Sequence, residues 1–232
     1  MDFTGKVAIV TGAGGGIGEG YANAFAARGM KVVVAELNEE GGERVAAGIR
    51  AAGGEALFVR TDVSDEASAK ACAEAASSAY GGIDYLVNNA AIFGDMLKGG
   101  YLTVDLAYLE KFMRVNAHGC LIMTRAALPY LQKRPGAAIV NQSSTAAWMN
   151  AGYYGVAKLT MNGITTSLAR ELGPLGIRIN AIAPGPTETS ALQKTAGEYA
   201  QQMIKPMPLA RLGQPQDMAD AGIAEVALIE IA

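Results

Sequence analysis

The sequence predicts an α/β domain organised around a doubly wound parallel sheet, and three observations predict it. Short apolar runs alternate with longer amphipathic ones along the 232 residues, the pattern of strands joined by crossover helices. The short runs are continuously apolar rather than alternating, so both faces of the sheet are expected to be covered. No repeat, low-complexity tract or linker interrupts the pattern, so residues 1–232 read as a single domain.

The elements follow in order. KVAIV at 6–10 is expected to form a first strand buried on both faces. Residues 17–28 have helical spacing and stop at Gly29, because glycine takes the left-handed conformation that ends helices. KVVVA at 31–35 is a second strand, and the alanine-rich stretch 39–52 is a helix ending at Gly53 and Gly54. Residues 56–60 give a third strand, 65–79 a helix with Asp65 at its start, and 85–87 a short fourth strand. A long helical stretch covers 105–131, with Pro129 as the expected kink, since proline removes a helix hydrogen bond. Residues 137–140 form strand five, 152–172 a helix halted by Gly173 and Pro174, and 177–182 strand six. Alternation of this kind calls for right-handed crossovers.

Composition narrows the function classes. Half the residues are apolar and 18% are charged, enough for a sizeable core and too apolar for disorder. Nineteen basic against 22 acidic residues give a net charge of −3, with no basic surplus for nucleic acid or an anionic membrane. No apolar run is long enough to span a bilayer, and MDFTGK lacks the pattern of a secretory leader, so a cytoplasmic address is expected. Cys72 and Cys120 read as buried reduced thiols. With His118 the single histidine, no metal-ligand spacing arises and no metal is expected.

Two stretches carry chemistry. TGAGGGIG at 11–18 lies between the first strand and the first helix. Glycine lets backbone approach a pyrophosphate, and a helix N-terminus attracts its charge. Glu36 ends the second strand, 24 residues after Gly12. A carboxylate there accepts from both adenosine ribose hydroxyls and repels a 2′-phosphate. No Arg or Lys lies inside the glycine turn, so NAD is expected rather than NADP. Asp62 and Val63, after strand three, are placed for the adenine edge. Asn88, Asn89, Ala90 and Ala91 follow strand four, where such sheets bind ligands. The second stretch holds Tyr154 and Lys158, four apart and so on one helix face. A free phenol titrates at about 10; a nearby ammonium favours its anion. With a hydroxyl from the Ser143–Ser144 pair to hold a substrate oxygen, these groups suit proton exchange at a carbinol or carbonyl.

These residues together resemble the short-chain dehydrogenase/reductase family. The resemblance runs from about residue 6 to 217, through TGAGGGIG, the DV pair at Asp62, NNAA at Asn88, Asn116, SS at Ser143, YGVAK at Tyr154 and PGPTET at Pro184. It implies a Rossmann-type fold and a tetrad of Asn116, Ser144, Tyr154 and Lys158. Ser144 would hydrogen-bond the substrate oxygen and Tyr154 would be the general acid/base. Lys158 would bind the nicotinamide ribose and lower the Tyr154 pKa. Asn116 would hold a water that links Lys158 to solvent. Gly12, Gly16, Ile17 and Gly18 would shape the phosphate turn, Asn89 and Ala90 would line the adenosine ribose, and Pro184, Gly185, Thr187 and Thr189 would border the nicotinamide.

The implied activity is NAD-dependent interconversion of a secondary alcohol and a ketone, in a homo-oligomer, tetramer or dimer. A 3-oxoacyl thioester reductase and a dinucleotide-binding regulator without turnover are the alternatives. Three features depart from the family pattern. The loop from Ser144 to Tyr154 is short. Tyr153 adjoins Tyr154, though only Tyr154 has Lys four residues on. Residues 221–232 stop where members usually continue into a seventh strand, so that strand is expected to be absent from this chain. Residues 188–208 read as a lid over the cofactor. Several of Phe93, Met96, Trp148, Met149, Tyr153, Met203 and Met207 are expected to line an apolar substrate pocket.

Overall fold

The computed structural model of the chain describes residues 2–227 apart from 206. Six strands form one sheet: β1 (Val7–Thr11), β2 (Lys31–Glu36), β3 (Glu55–Arg60), β4 (Tyr85–Asn88), β5 (Ala138–Gln142) and β6 (Arg178–Ile182). Their order is β3-β2-β1-β4-β5-β6, and every pairing is parallel. The chain moves outward from β1 to β3, then crosses back to the other side of β1. In such sheets the crevice at that reversal, beyond the carboxyl ends of the strands, is where ligands bind.

Side-chain alternation along β1 divides the core into two layers. Ala8 and Val10 face one side, packing with Tyr21, Phe25, Val45, Ile49 and Val226. These come from α1 (Gly16–Ala26), α2 (Glu39–Ala51) and α9 (Pro215–Ala227). Ile9 faces the other, with Cys72, Met123, Leu131 and Leu168. Those lie on α3 (Glu66–Tyr80), α5 (Gly119–Leu131) and α6 (Gly152–Leu172). Every residue of β1 and β4 is buried, including the polar Thr11 and Asn88 at their carboxyl ends. Full burial of each large aliphatic side chain stabilises by roughly 1.5–3 kcal/mol. Both cysteines are buried and free, and burial pushes each thiol up to about 11.

Local chemistry sets the helix ends. Asn38 and Asp65 cap α2 and α3 by accepting hydrogen bonds from the amides of Gly41 and Ser68. Asp105 does the same for α4 (Leu106–Met113). The helical stretch predicted from 105 to 131 is interrupted by a π-turn at Arg114–His118, not by Pro129, which sits inside α5 as that helix runs on to Leu131. The widened turn contains Asn116. Helix α6 passes into a 3₁₀ turn at Gly173–Leu175, and the left-handed residue that ends the run is Gly176, with φ 71°. Two short helices, α7 (Ser190–Ala196) and α8 (Ala200–Met203), lie within the segment predicted as a lid. Of residues 221–232, where the family pattern leads towards a seventh strand, 221–227 complete α9 and 228–232 lie outside the described residues. Among the described residues, no helix is long and apolar enough to cross a membrane.

Candidate active site

The glycine turn is built by close approach. A Cβ on Gly12, which has φ 63°, would stand 2.7 Å from the Ala90 backbone. One on Gly18 would stand 2.1 Å from the Gly12 carbonyl oxygen. The Asn89 side chain ties the turn to the end of β4, donating to the carbonyls of Thr11 and Gly12 at 2.9 and 3.1 Å. The amides of Asn89 and Ala90 donate to the Thr11 hydroxyl. Helix α1 starts after Gly15 with no side-chain cap, and the space above Gly15 is open. Its first amides are therefore free to meet an anion, and the cradle fits a dinucleotide pyrophosphate. Ile17 anchors the turn from below by packing into the core.

At the end of β2 the Glu36 carboxylate accepts from the amide of Gly14 at 3.0 Å, and from those of Leu37 and Asn38 at 2.8 and 3.0 Å. These bonds fix it at the rim of the glycine turn. Sequence reasoning missed its neighbour, Arg44. From α2 the Arg44 guanidinium grips Glu19 with two bonds of 2.7 Å and donates to the Gly14 carbonyl at 3.1 Å. The turn contains no cation, yet the fold brings one beside it, already paired. Asp62 accepts from the amide and hydroxyl of Ser64, shaping the turn after β3. Val63 is buried in the core, against Gly119.

The candidate catalytic groups gather at the carboxyl end of β5. Lys158 is 2% exposed, and its ammonium donates to the Gln142 carbonyl at 2.6 Å. It stands 5.9 Å from the centre of the Tyr154 ring. Tyr154 packs beside Phe93 with ring centres 5.0 Å apart. Tyr153 points the other way: it is buried edge-on against Phe112 and donates to the Leu97 carbonyl. The neighbouring tyrosines are thus separated, and only Tyr154 reaches the site.

Two serines offered themselves; Ser143 is 2% exposed, and its hydroxyl is buried without a partner. Ser144 caps the 3₁₀ turn at Thr145–Trp148, its hydroxyl accepting from the Ala146 amide at 3.2 Å. The short loop closes through two left-handed residues, Asn150 at φ 51° and Gly152 at φ 57°. Gly155 is pressed against this turn; a Cβ there would stand 2.6 Å from the Ala146 carbonyl oxygen.

Burial dominates the electrostatics of both groups. Burial pushes the phenol up to about 12, with the nearby Ser144 side chain pulling the other way. The same burial pulls the Lys158 ammonium down to about 8. Desolvation disfavours both charged forms. Asn116 is fully buried; its side chain accepts from the Ile92 amide at 2.7 Å and donates to the Ile92 carbonyl at 2.9 Å. It thereby holds the loop after β4 against the helix.

The segment after β6 closes the rim. The Pro184 carbonyl accepts from the amide and hydroxyl of Thr145. Thr187 donates to the Gly185 carbonyl and pairs with Gly213. Thr189 caps α7 and sits over Gly16, whose Cβ would meet its methyl at 3.3 Å. Met207 approaches Gly185, and Met96 packs with Tyr153 and Phe112. Trp148 and Met149 are 65% and 67% exposed. Of the residues expected to line a pocket, Phe93 and Met207 stand at the site, while Tyr153 and Met96 belong to the packed cluster behind it.

Comparison with known proteins identifies the family. A family profile described as enoyl-(acyl carrier protein) reductase matches residues 12–224. An uncharacterized oxidoreductase of Mycobacterium tuberculosis is 55% identical over 93% of this chain and 88% of its own length. The 2,5-dichloro-2,5-cyclohexadiene-1,4-diol dehydrogenase of Sphingobium indicum is 35% identical over 95% of this chain and 88% of its own. The chain belongs to the short-chain dehydrogenase/reductase family. Solved structures of such enzymes superpose closely on this one. The 3-ketoacyl-(acyl-carrier-protein) reductase of Brucella melitensis, complexed with NADH, gives a TM-score of 0.88 at 35% identity, covering 97% of this chain and 92% of its own. A short chain dehydrogenase of Burkholderia cenocepacia, in complex with NADP, gives 0.88 at 31% identity with the same coverage. The protein is thus an oxidoreductase of this family with a dinucleotide cofactor.

Proposed function

We propose that this short-chain dehydrogenase/reductase uses NAD to interconvert a secondary alcohol and a ketone, with Tyr154 as general acid/base. The observation that carries the reading is the buried Lys158 ammonium 5.9 Å from the centre of the Tyr154 ring. A bound nicotinamide supplies the hydride acceptor for oxidation and the donor for reduction. Ser144 holds the substrate oxygen by a hydrogen bond. In oxidation Tyr154 takes the hydroxyl proton; in reduction it returns one to the forming alkoxide. Lys158 stabilises the phenolate by its charge and holds the nicotinamide ribose. Asn116 keeps the loop after β4 in place and supports a water path from Lys158 to solvent.

Cofactor choice rests on Glu36. Its carboxylate stands at the ribose end of the glycine turn, where it accepts from ribose hydroxyls and repels a 2′-phosphate. Arg44 is paired with Glu19 and does not offset that repulsion. Gly12, Gly16, Ile17 and Gly18 hold the pyrophosphate; Asp62, Val63, Asn89 and Ala90 border the adenosine. Pro184, Gly185, Thr187 and Thr189 border the nicotinamide, and residues 188–208 close over it. The test is NADH production across a panel of secondary alcohols at mildly alkaline pH, with NADP in parallel and Tyr154→Phe as control. Turnover with NAD that Tyr154→Phe abolishes is expected. Turnover surviving that change, or a clear NADP preference, overturns the reading.

A further inference from the structure

Gln142 is a polar residue on an apolar sheet face. Ala138 and Val140, four and two residues earlier on β5, pack into the layer formed by α1 and α9. Gln142 points the same way and is 3% exposed. Its side-chain carbonyl accepts from the Tyr21 hydroxyl of α1 at 2.8 Å, and its amide donates to the Ile182 carbonyl of β6 at 3.3 Å. Both ends of the side chain are pinned. Its backbone carbonyl is the group that accepts from Lys158 on the opposite side of the sheet.

We propose that Tyr21, acting through Gln142, is a positioning residue for Lys158. The inference rests on the role of Lys158 in the proposed function. The peptide that presents the Gln142 carbonyl is also held at its nitrogen, where Ser143 donates to the Ile182 carbonyl at 2.8 Å. Ser144 follows directly, so one anchored segment places both a hydroxyl and the lysine acceptor. Tyr21 cannot swing aside: a Cβ on Gly222 of α9 would stand 2.2 Å from its ring, so the bare glycine marks a filled slot. Removing the hydroxyl leaves the Gln142 side-chain carbonyl buried without a donor, and a buried unpaired group rearranges or destabilises its surroundings. The titratable groups facing Lys158 are Cys120 of α5 and Tyr154 of its own helix, and the group facing Tyr21 is Glu225 of α9. None of these is altered by the substitutions below.

Tyr21→Phe, Gln142→Met and the double variant of the full chain would be assayed for NADH formation against pH, NADH affinity and thermal midpoint. A displaced carbonyl weakens the hold on the ammonium, so the Tyr154 phenolate is less stabilised. Tyr21→Phe is expected to lower kcat about tenfold and move the rise of alcohol oxidation to higher pH by about half a unit, a factor of roughly three in the ionisation constant. NADH affinity should stay within threefold. The double variant should be no slower than the slower single one, because the pair acts as a unit. A lower thermal midpoint with unchanged kcat and pH profile marks the pair as purely structural and overturns the proposal. If Tyr21→Phe fails to fold, Gln142→Met carries the same test, since it preserves side-chain length without the amide. Tyr154→Phe in the same assay separates the two ideas. Its retained turnover sinks the proposed function, whereas its inactivity beside an unaffected Tyr21→Phe sinks this inference alone.

Discussion

Lys158 destabilises the fold that holds it. Burial lowers its pKa from 10.5 to about 8, so the unfolded chain binds the proton more tightly than the folded one. Below about pH 8 the full cost stands; between there and the unfolded value it fades, because the folded protein gives up its proton first. Lys158→Met should therefore raise stability at pH 7 by on the order of 2 kcal/mol while abolishing turnover. The gain should shrink as the pH approaches 10. Urea unfolding at pH 7 and 9.5 checks this; a variant less stable at both would contradict it. Glu36 makes a second prediction at this scale. Glu36→Ser removes the charge facing a 2′-phosphate and should lower the ratio of kcat/KM for NAD over NADP at least tenfold. An unchanged ratio would mean that the carboxylate does not select the cofactor. Tyr154 and Lys158 were legible in the sequence because they lie one helical turn apart. Arg44 with Glu19, and Tyr21 with Gln142, were not. Those partners are 25 and 121 residues apart, and no local pattern links them.

Elements were legible to different degrees. The strands and long helices could be read because a doubly buried strand is continuously apolar and a helix stops at glycine. The π-turn could not, because it changes hydrogen bonding without changing composition, and such turns are frequent at functional sites. The short loop before Tyr154 was visible only as a length. Its closure through Asn150 and Gly152 is a matter of backbone conformation that length does not encode. That closure brings the turn after Ser144 onto Gly155, so the contact between two elements sets the serine–tyrosine geometry. Gly155→Ala should push the turn away from α6, because the obstacle is a backbone carbonyl. It should lower kcat tenfold or more and leave NADH affinity within threefold; loss of both together would indicate general misfolding. Arg44→Ala should have the complementary signature. Releasing Glu19 and the Gly14 carbonyl loosens the turn, so the KM for NAD should rise severalfold with kcat nearly constant.

Across the whole molecule, the candidate site draws on both halves of the sheet. The glycine turn and Glu36 come from β1 and β2; Ser144, Tyr154 and Lys158 come from β5 and α6. A ligand that bridges them stabilises only the assembled domain. At 100 times its dissociation constant, NADH should add about 2.7 kcal/mol. For a domain of this size that is roughly 5–11 °C in the thermal midpoint, measurable by calorimetry. A shift below 2 °C would show that binding does not link the halves. The sheet order also governs how the chain comes into being. The centre strand β1 is made first, yet the partner on one of its sides, β4, begins at Tyr85. During synthesis some 70 residues must leave the ribosome while that edge of β1 stays open and apolar, a surface on which nascent chains can associate. The reversal that creates the binding crevice therefore also creates the interval in which the growing chain is most exposed to a chaperone or to another copy of itself.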